Sequence, residues 1–189
     1  SSSKEVAQGW GLPKGWEDRG IRLPVLTTSA QGYRDLCHLM SEYTLTHDAQ
    51  ESPAHGLGSI AQMGDIRILT GGSRGPLRRI LHAQGHTQAD RFLKDLIALF
   101  GRERVLLESV LMPGQDDLGR ELAELAQANC LTLVASAAPV MAYPQSKYRA
   151  DLLCSLRQGR SLDDLQYRLP AQHAFLRSAE EMLALHRSA

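Results

Sequence analysis

The sequence predicts an α/β fold of mostly parallel strands with surrounding helices and a helical C-terminal third. Three observations carry this reading. Four short β-rich runs, RLPVLTT, DIRILT, RVLLE and LTLVA, punctuate the chain, each short enough for a strand and too short for a helix. Between them lie stretches whose apolar residues recur at helical spacing, and alternation of the two kinds of segment favours parallel pairing through crossover helices. After Pro144 the β-rich runs cease, and 146–158, 162–167 and 178–186 read as helices.

The first run, 22–28, contains Pro24, which lacks an N–H for a ladder and so marks an edge strand or a strand start. A turn then leads into a helix over 32–43, where Tyr33, Leu36, Cys37 and Met40 make one apolar stripe with His38 beside it as a surface or capping residue. Polar residues 47–64, with Pro53, Gly56, Gly58 and Gly64, read as a loop holding one helical turn near 57–62. Ile66 and Ile68 alternate onto one face of the second strand. The turn Gly71 to Gly75 opens a helix over 76–83, and Pro76 suits its first position because the missing N–H would be unpaired there. In the helix over 87–100, Phe92, Leu93, Leu96, Ile97 and Phe100 face inward and Asp90, Arg91, Lys94 and Asp95 outward. The third strand covers 104–108, with a loop at 109–114. A helix over 117–129 precedes the fourth run, whose continuous apolar character predicts a buried strand. Ser178 followed three residues on by Glu181 predicts a capping box.

Composition bounds the function. At 189 residues the chain is long enough for one domain with a real core. Lys plus Arg and Asp plus Glu number 21 each, so no global field draws the protein to nucleic acid or to an anionic membrane. No apolar run reaches the roughly 18 to 20 residues of a membrane helix, and the opening lacks a signal peptide's apolar core; a cytoplasmic location is expected. Residues 1–20, without periodicity, read as a linker, and 21–189 as a single domain. Cys37, Cys130 and Cys154 are odd in number and widely spaced, which suggests free buried thiols.

In parallel α/β folds chemistry gathers where strands end and loops begin. The loop after the fourth strand, Ser136 to Met141, offers one hydroxyl, one thioether and otherwise apolar surface. It holds nothing to bind a hard metal or move a proton near neutral pH. The glycine-rich turn at 71–75 can cradle a phosphate with backbone N–H groups, but neither established phosphate-loop spacing is present and a plain tight turn is preferred. Gly71, Gly72, Arg74, Arg78 and Arg79 are the candidate phosphate or DNA contacts; the three arginines equally suit a solvated helix face. His82 and His86 are four residues apart with Gly85 between them, which favours two solvated histidines over a metal pair. Glu108, at the end of the third strand, reads as a core-edge or ion-paired carboxylate rather than a general acid or base.

Several words in one order resemble a known family. They are LPVLTTSAQGYRDLCHLMS at 23–41, IRILTGGSRGPLRRIL at 66–81, FGRERVLLE at 100–108, ELAQANCLTLVAS at 124–136, DLLCSLRQGRSLDDLQYRLP at 151–170 and FLRSAEEML at 175–183. The order resembles the PHP domain at the N-terminus of bacterial C-family DNA polymerases, the polymerase III alpha subunits, and RQGRSLDD followed by LRSAEEM looks most like their error-prone branch. The resemblance implies a partial PHP-type barrel, a distorted TIM-like form. The family's opening H-x-H motif is missing, because this chain contains no H-x-H.

Carried over position by position, the family's metal ligands fall at Arg22, Gly72, Met112, Ala138 and Val140. Arginine, glycine, methionine, alanine and valine cannot together hold divalent ions and activate a bound water. The resemblance therefore implies a non-catalytic PHP-like domain of an error-prone polymerase, with no cofactor and no catalytic residue of its own. It would support DNA synthesis and translesion repair from a position against the polymerase body or other subunits, touching DNA only indirectly. The alternatives are a free-standing degenerate interaction module, or a metal-dependent phosphoesterase using His55, His82, His86 and Glu108.

Overall fold

The strands β2 (Ile66–Leu69) and β3 (Val105–Ser109) run parallel, with Ile68 opposite Val105 and Leu69 opposite Leu106. In the computed structural model the described residues are 23–46, 57–72, 75–112, 115–165 and 172–187. The expected linker at 1–20, and Arg22, His55 and Arg74, lie outside them. The strand β1 (Val25–Thr27) pairs antiparallel with β2, Val25 opposite Ile68, and β4 (Thr132–Ala135) follows β3 in the sheet order β1-β2-β3-β4. The sheet is mostly parallel, as the alternating pattern predicts, but its order is linear and a TIM-like barrel is not formed by the described strands.

Seven α-helices accompany these strands among the described residues: α1 (Ala30–Thr46), α2 (Leu57–Ala61), α3 (Pro76–Gln84), α4 (His86–Phe100), α5 (Asp116–Ala128), α6 (Lys147–Gln158) and α7 (Ala179–His186). Of the segment 162–167, expected to be helical, the described residues 162–165 hold a 3-10 turn, Asp163–Leu165, and 166–167 lie outside the described residues. The capping box at α7 forms as its spacing predicts. Glu181 N–H donates to the Ser178 hydroxyl at 3.2 Å and Ser178 N–H donates to the Glu181 carboxylate at 2.8 Å, satisfying two donors that a helix start otherwise leaves open.

The chain divides into two compact units, one of Ser1–Glu108 with Leu122–Val134 and one of Ser109–Glu121 with Ala135–Ala189. The first holds the larger core. Ile66 and Ile68 of β2, Val105 and Leu107 of β3, Leu77 and Ile80 of α3, and Phe92, Leu93 and Leu96 of α4 are all at most 1% exposed. Each such side chain contributes about 1.5–3 kcal/mol when fully removed from water. The inward residues read from the periodicity of α4 are the ones buried, apart from half-buried Ile97. In the second unit Val110, Leu111, Met141, Leu165 and Ala174 are buried, and a parallel bridge joins Met141 to Phe175.

Three expectations fail. The strand β4 is not buried: Thr132, Leu133 and Ala135 are exposed, Leu133 by 40%. It ends the sheet order, so only one of its sides has a strand neighbour. The apolar stripe of α1 is likewise open, with Tyr33 62% and Met40 56% exposed, since α1 lies beside β1, the opposite edge strand. The cysteines are free but not buried: Cys37 and Cys130 are exposed and Cys154 half-buried. Cys130 takes a positive φ of 51° just past α5, where Leu131 N–H closes the helix by donating to Ala126 carbonyl at 2.8 Å. At this left-handed position, its side chain is left in solvent.

A polar clamp ties α4 to the end of α5 inside the first unit. Asp90 accepts from Lys94 Nζ at 2.6 Å and from Asn129 Nδ2 at 2.8 Å, while the same amide donates to Leu125 carbonyl at 3.0 Å. The hydrogen bond from Lys94, then that from Asn129, holds the Asp90 carboxyl below the usual carboxylate range. A carboxyl lowered by folding stabilises the native state above its unfolded value and loses that contribution as pH falls through its folded value. Asp90→Asn should therefore lower the melting temperature at pH 7, and the gap from the parent chain should shrink below about pH 4. Thermal melts across that range check this, with an effect no larger than about 1 kcal/mol because Lys94 is largely solvated.

Candidate functional site

The C-terminal ends of β2 and β3 are where a parallel sheet offers backbone and side chains to a ligand. Thr70, fully buried, follows β2; its N–H donates to Leu106 carbonyl at 3.0 Å, and its hydroxyl accepts from Glu108 N–H at 3.0 Å. Glu108 is 8% exposed, and its Oε2 is buried without a hydrogen-bond partner among the described residues. Of the two roles read from the sequence, the core-edge one describes it; no ion pair to it is formed among the described residues.

The glycine turn between β2 and α3 closes on itself. Gly71 has a φ of 77°, a conformation that glycine adopts without cost. Gly75 N–H donates to Gly72 carbonyl at 2.8 Å, and a Cβ on Gly75 would lie 2.5 Å from Thr70 carbonyl oxygen and 2.6 Å from Gly71 backbone carbons. The need for glycine at 75 is thus explained by backbone packing alone. From Pro76 onward α3 carries Arg78, half-buried, and Arg79, exposed; burial lowers the Arg78 guanidinium from its usual value. Both arginines are engaged by neighbouring groups.

The histidines do not converge. His82 lies in α3 and His86 opens α4, and Gly85 between them, at φ 81°, ends one helix and starts the next. Their four-residue spacing therefore does not place them on one helical face. Both are exposed, whereas Glu108 is buried in β3. Among the described residues no three of His, Cys, Asp or Glu lie close enough together to hold a metal ion.

At the positions where the resemblance puts metal ligands, Gly72 offers only backbone. In the second unit, Met112 donates its N–H to Gln115 Oε1 at 3.0 Å and presents a thioether. Val140 is 52% exposed, with its N–H bonded to Ala174 carbonyl at 2.9 Å. Ala138 is exposed and holds a φ of 41°. That left-handed conformation is unusual for alanine, and aspartate or asparagine tolerate it better. None of these four residues carries a carboxylate or an imidazole. Sequence reasoning missed the buried Thr70–Glu108 link, because a single threonine before a glycine turn carries no pattern of its own.

Two matched pairs of substitutions test these local readings by equilibrium unfolding. Gly75→Ala should destabilise by about 2 kcal/mol through its backbone clash, whereas Gly58→Ala in α2, with open space around the added methyl, should be neutral or stabilise by up to about 1 kcal/mol. Thr70→Val removes the acceptor from a buried N–H and should cost about 1–3 kcal/mol, while Thr70→Ser, which keeps the hydroxyl, should cost clearly less.

No family model matches the sequence. The chain is similar to error-prone DNA polymerases: it is 34% identical over 179 residues to that of Cutibacterium acnes, a match covering 90% of this chain and 16% of that protein. It is 32% identical over 177 residues to the enzyme of Nocardia farcinica, covering 88% of this chain and 15% of that one. With the Mycobacterium tuberculosis enzyme identity is 31% over 171 residues, covering 88% and 16%. The chain thus spans about a sixth of the length of the curated relatives it matches, and these matches relate nearly all of it to one stretch of the error-prone DNA polymerases.

Proposed function

We propose that this chain is a non-catalytic, PHP-like element of an error-prone DNA polymerase of the polymerase III alpha type, and that it braces the polymerising body during synthesis past damaged DNA. Nucleotide addition would be carried out by residues outside this sequence, and its contact with DNA would be indirect. The single observation that carries the reading is the match of about nine-tenths of the chain to a stretch of error-prone polymerases, taken with what stands at the metal positions implied by the resemblance. Gly72, Met112, Ala138 and Val140 supply no carboxylate and no imidazole, the donors a hydrolytic divalent centre draws on. The left-handed backbone at Ala138 adds support, since it suits the aspartate that the family carries there better than the alanine present.

No observation favours the phosphoesterase alternative, since Glu108 is buried in β3 while His82 and His86 are exposed.

Two measurements test the proposal. After exposure to trace Mn, Zn and Fe followed by dialysis, elemental analysis should find well under one metal per chain, with no chelator-sensitive hydrolysis of a phosphodiester. In an extract of the source organism, an antibody against this chain should stain a polypeptide several times larger than 20.8 kDa. Stoichiometric metal with hydrolysis lost on chelation would overturn the non-catalytic role, and a native band at 20.8 kDa would overturn the role as part of a polymerase chain.

A further inference from the structure

The helix α6 is built inside out. At 100° per residue, Tyr148, Leu152, Leu156 and Leu153 fall within an arc of about 140°, and they are 65%, 38%, 77% and 67% exposed. The opposite side, formed by Lys147, Ala150, Asp151, Cys154 and Ser155, is the half-buried one. No residue of the helix is fully buried. A helix of 12 residues is marginal alone in water, and a surface helix ordinarily turns its leucines toward its own core.

The charges on α6 say what kind of surface covers it. Its one carboxylate, Asp151, is taken by Lys147 four residues earlier. Arg149, inside the apolar arc, and Arg157, on its margin, are both exposed and make no ion pair among the described residues. The free charge on this face is therefore wholly positive. A second copy of α6 would bring arginine against arginine in either orientation, a juxtaposition that opposes association.

From this we infer that α6 is a docking surface for an amphipathic helix whose apolar stripe is flanked by Asp or Glu, and that this helix is borne by the polymerase polypeptide outside the stretch matched here. The source of the helix rests on the proposed function; its chemistry rests on α6 alone. Leucines of the incoming helix would fill the gaps between Tyr148, Leu152, Leu153 and Leu156. Its carboxylates would meet Arg149 and Arg157, eight residues and about 12 Å apart along the axis.

The test uses the full chain and two fluorescent helical peptides of about 15 residues, alike in their leucine stripe but flanked by glutamate in one and lysine in the other. Anisotropy should show the glutamate peptide binding tighter by on the order of tenfold, with the gap narrowing at high salt. The double variant Arg149→Glu, Arg157→Glu should reverse the preference. Leu153→Ser with Leu156→Ser should remove binding of both peptides, with circular dichroism unchanged because these residues are exposed. Equal binding of the two peptides, absence of binding by the glutamate peptide, or self-association of the chain that Leu156→Ser abolishes would each overturn the inference. The size of the native polypeptide separately decides the polymerase reading.

Discussion

The parallel pairing of β2 with β3 is the constraint on which the first unit depends. Parallel strands need a crossover between them, and here α3 and α4 supply it, packing on each other with Leu77, Ile80, Phe92, Leu93 and Leu96 withdrawn from water. A parallel pair is stable only when its faces are covered, which is why β2 and β3 are nearly continuous in Ile, Val and Leu. The Arg104 guanidinium fixes the entry to β3, donating to Met63 carbonyl at 2.9 Å and Ala61 carbonyl at 3.3 Å. At the other end Thr70 and the closed glycine turn fix the exit. The edge strand β1 is held to the same frame, with Thr28 N–H donating to Asp65 carbonyl at 2.7 Å and Leu69 N–H to Pro24 carbonyl at 2.9 Å.

Away from this pair the chain exposes apolar side chains: Leu26 on β1, Tyr33 and Met40 on α1, Leu133 on β4, and the leucines of α6. Single exposed apolar residues are ordinary on a protein surface. Runs of them along helical faces and an edge strand are less common. The strand ends, by contrast, present tight backbone turns and one buried carboxylate.

Local rules were legible wherever a few neighbouring residues decide the outcome. Pro76 begins α3, Ser178 and Glu181 close the capping box, and the inward residues of α4 follow their spacing. The poverty of the loop after β4 could likewise be read from Ser136 to Met141 alone, because no arrangement gives alanine or valine a donor atom. An apolar pattern was misleading at β4 and α1, where it was taken to mean an inner face. Spacing identifies which residues share a side of an element, but whether that side meets the core depends on what the rest of the chain provides.

By itself, then, the sequence determined the class of fold and the order of its strands and most of its helices, since these depend on residue chemistry and short-range geometry. Only the tertiary structure decided that the strands form a linear sheet with β1 antiparallel, that Glu108 is buried beside Thr70, and that α6 turns its leucines outward. Those outcomes turn on contacts between residues far apart in the chain, where burial of one surface is chosen over another by the neighbours available to cover it.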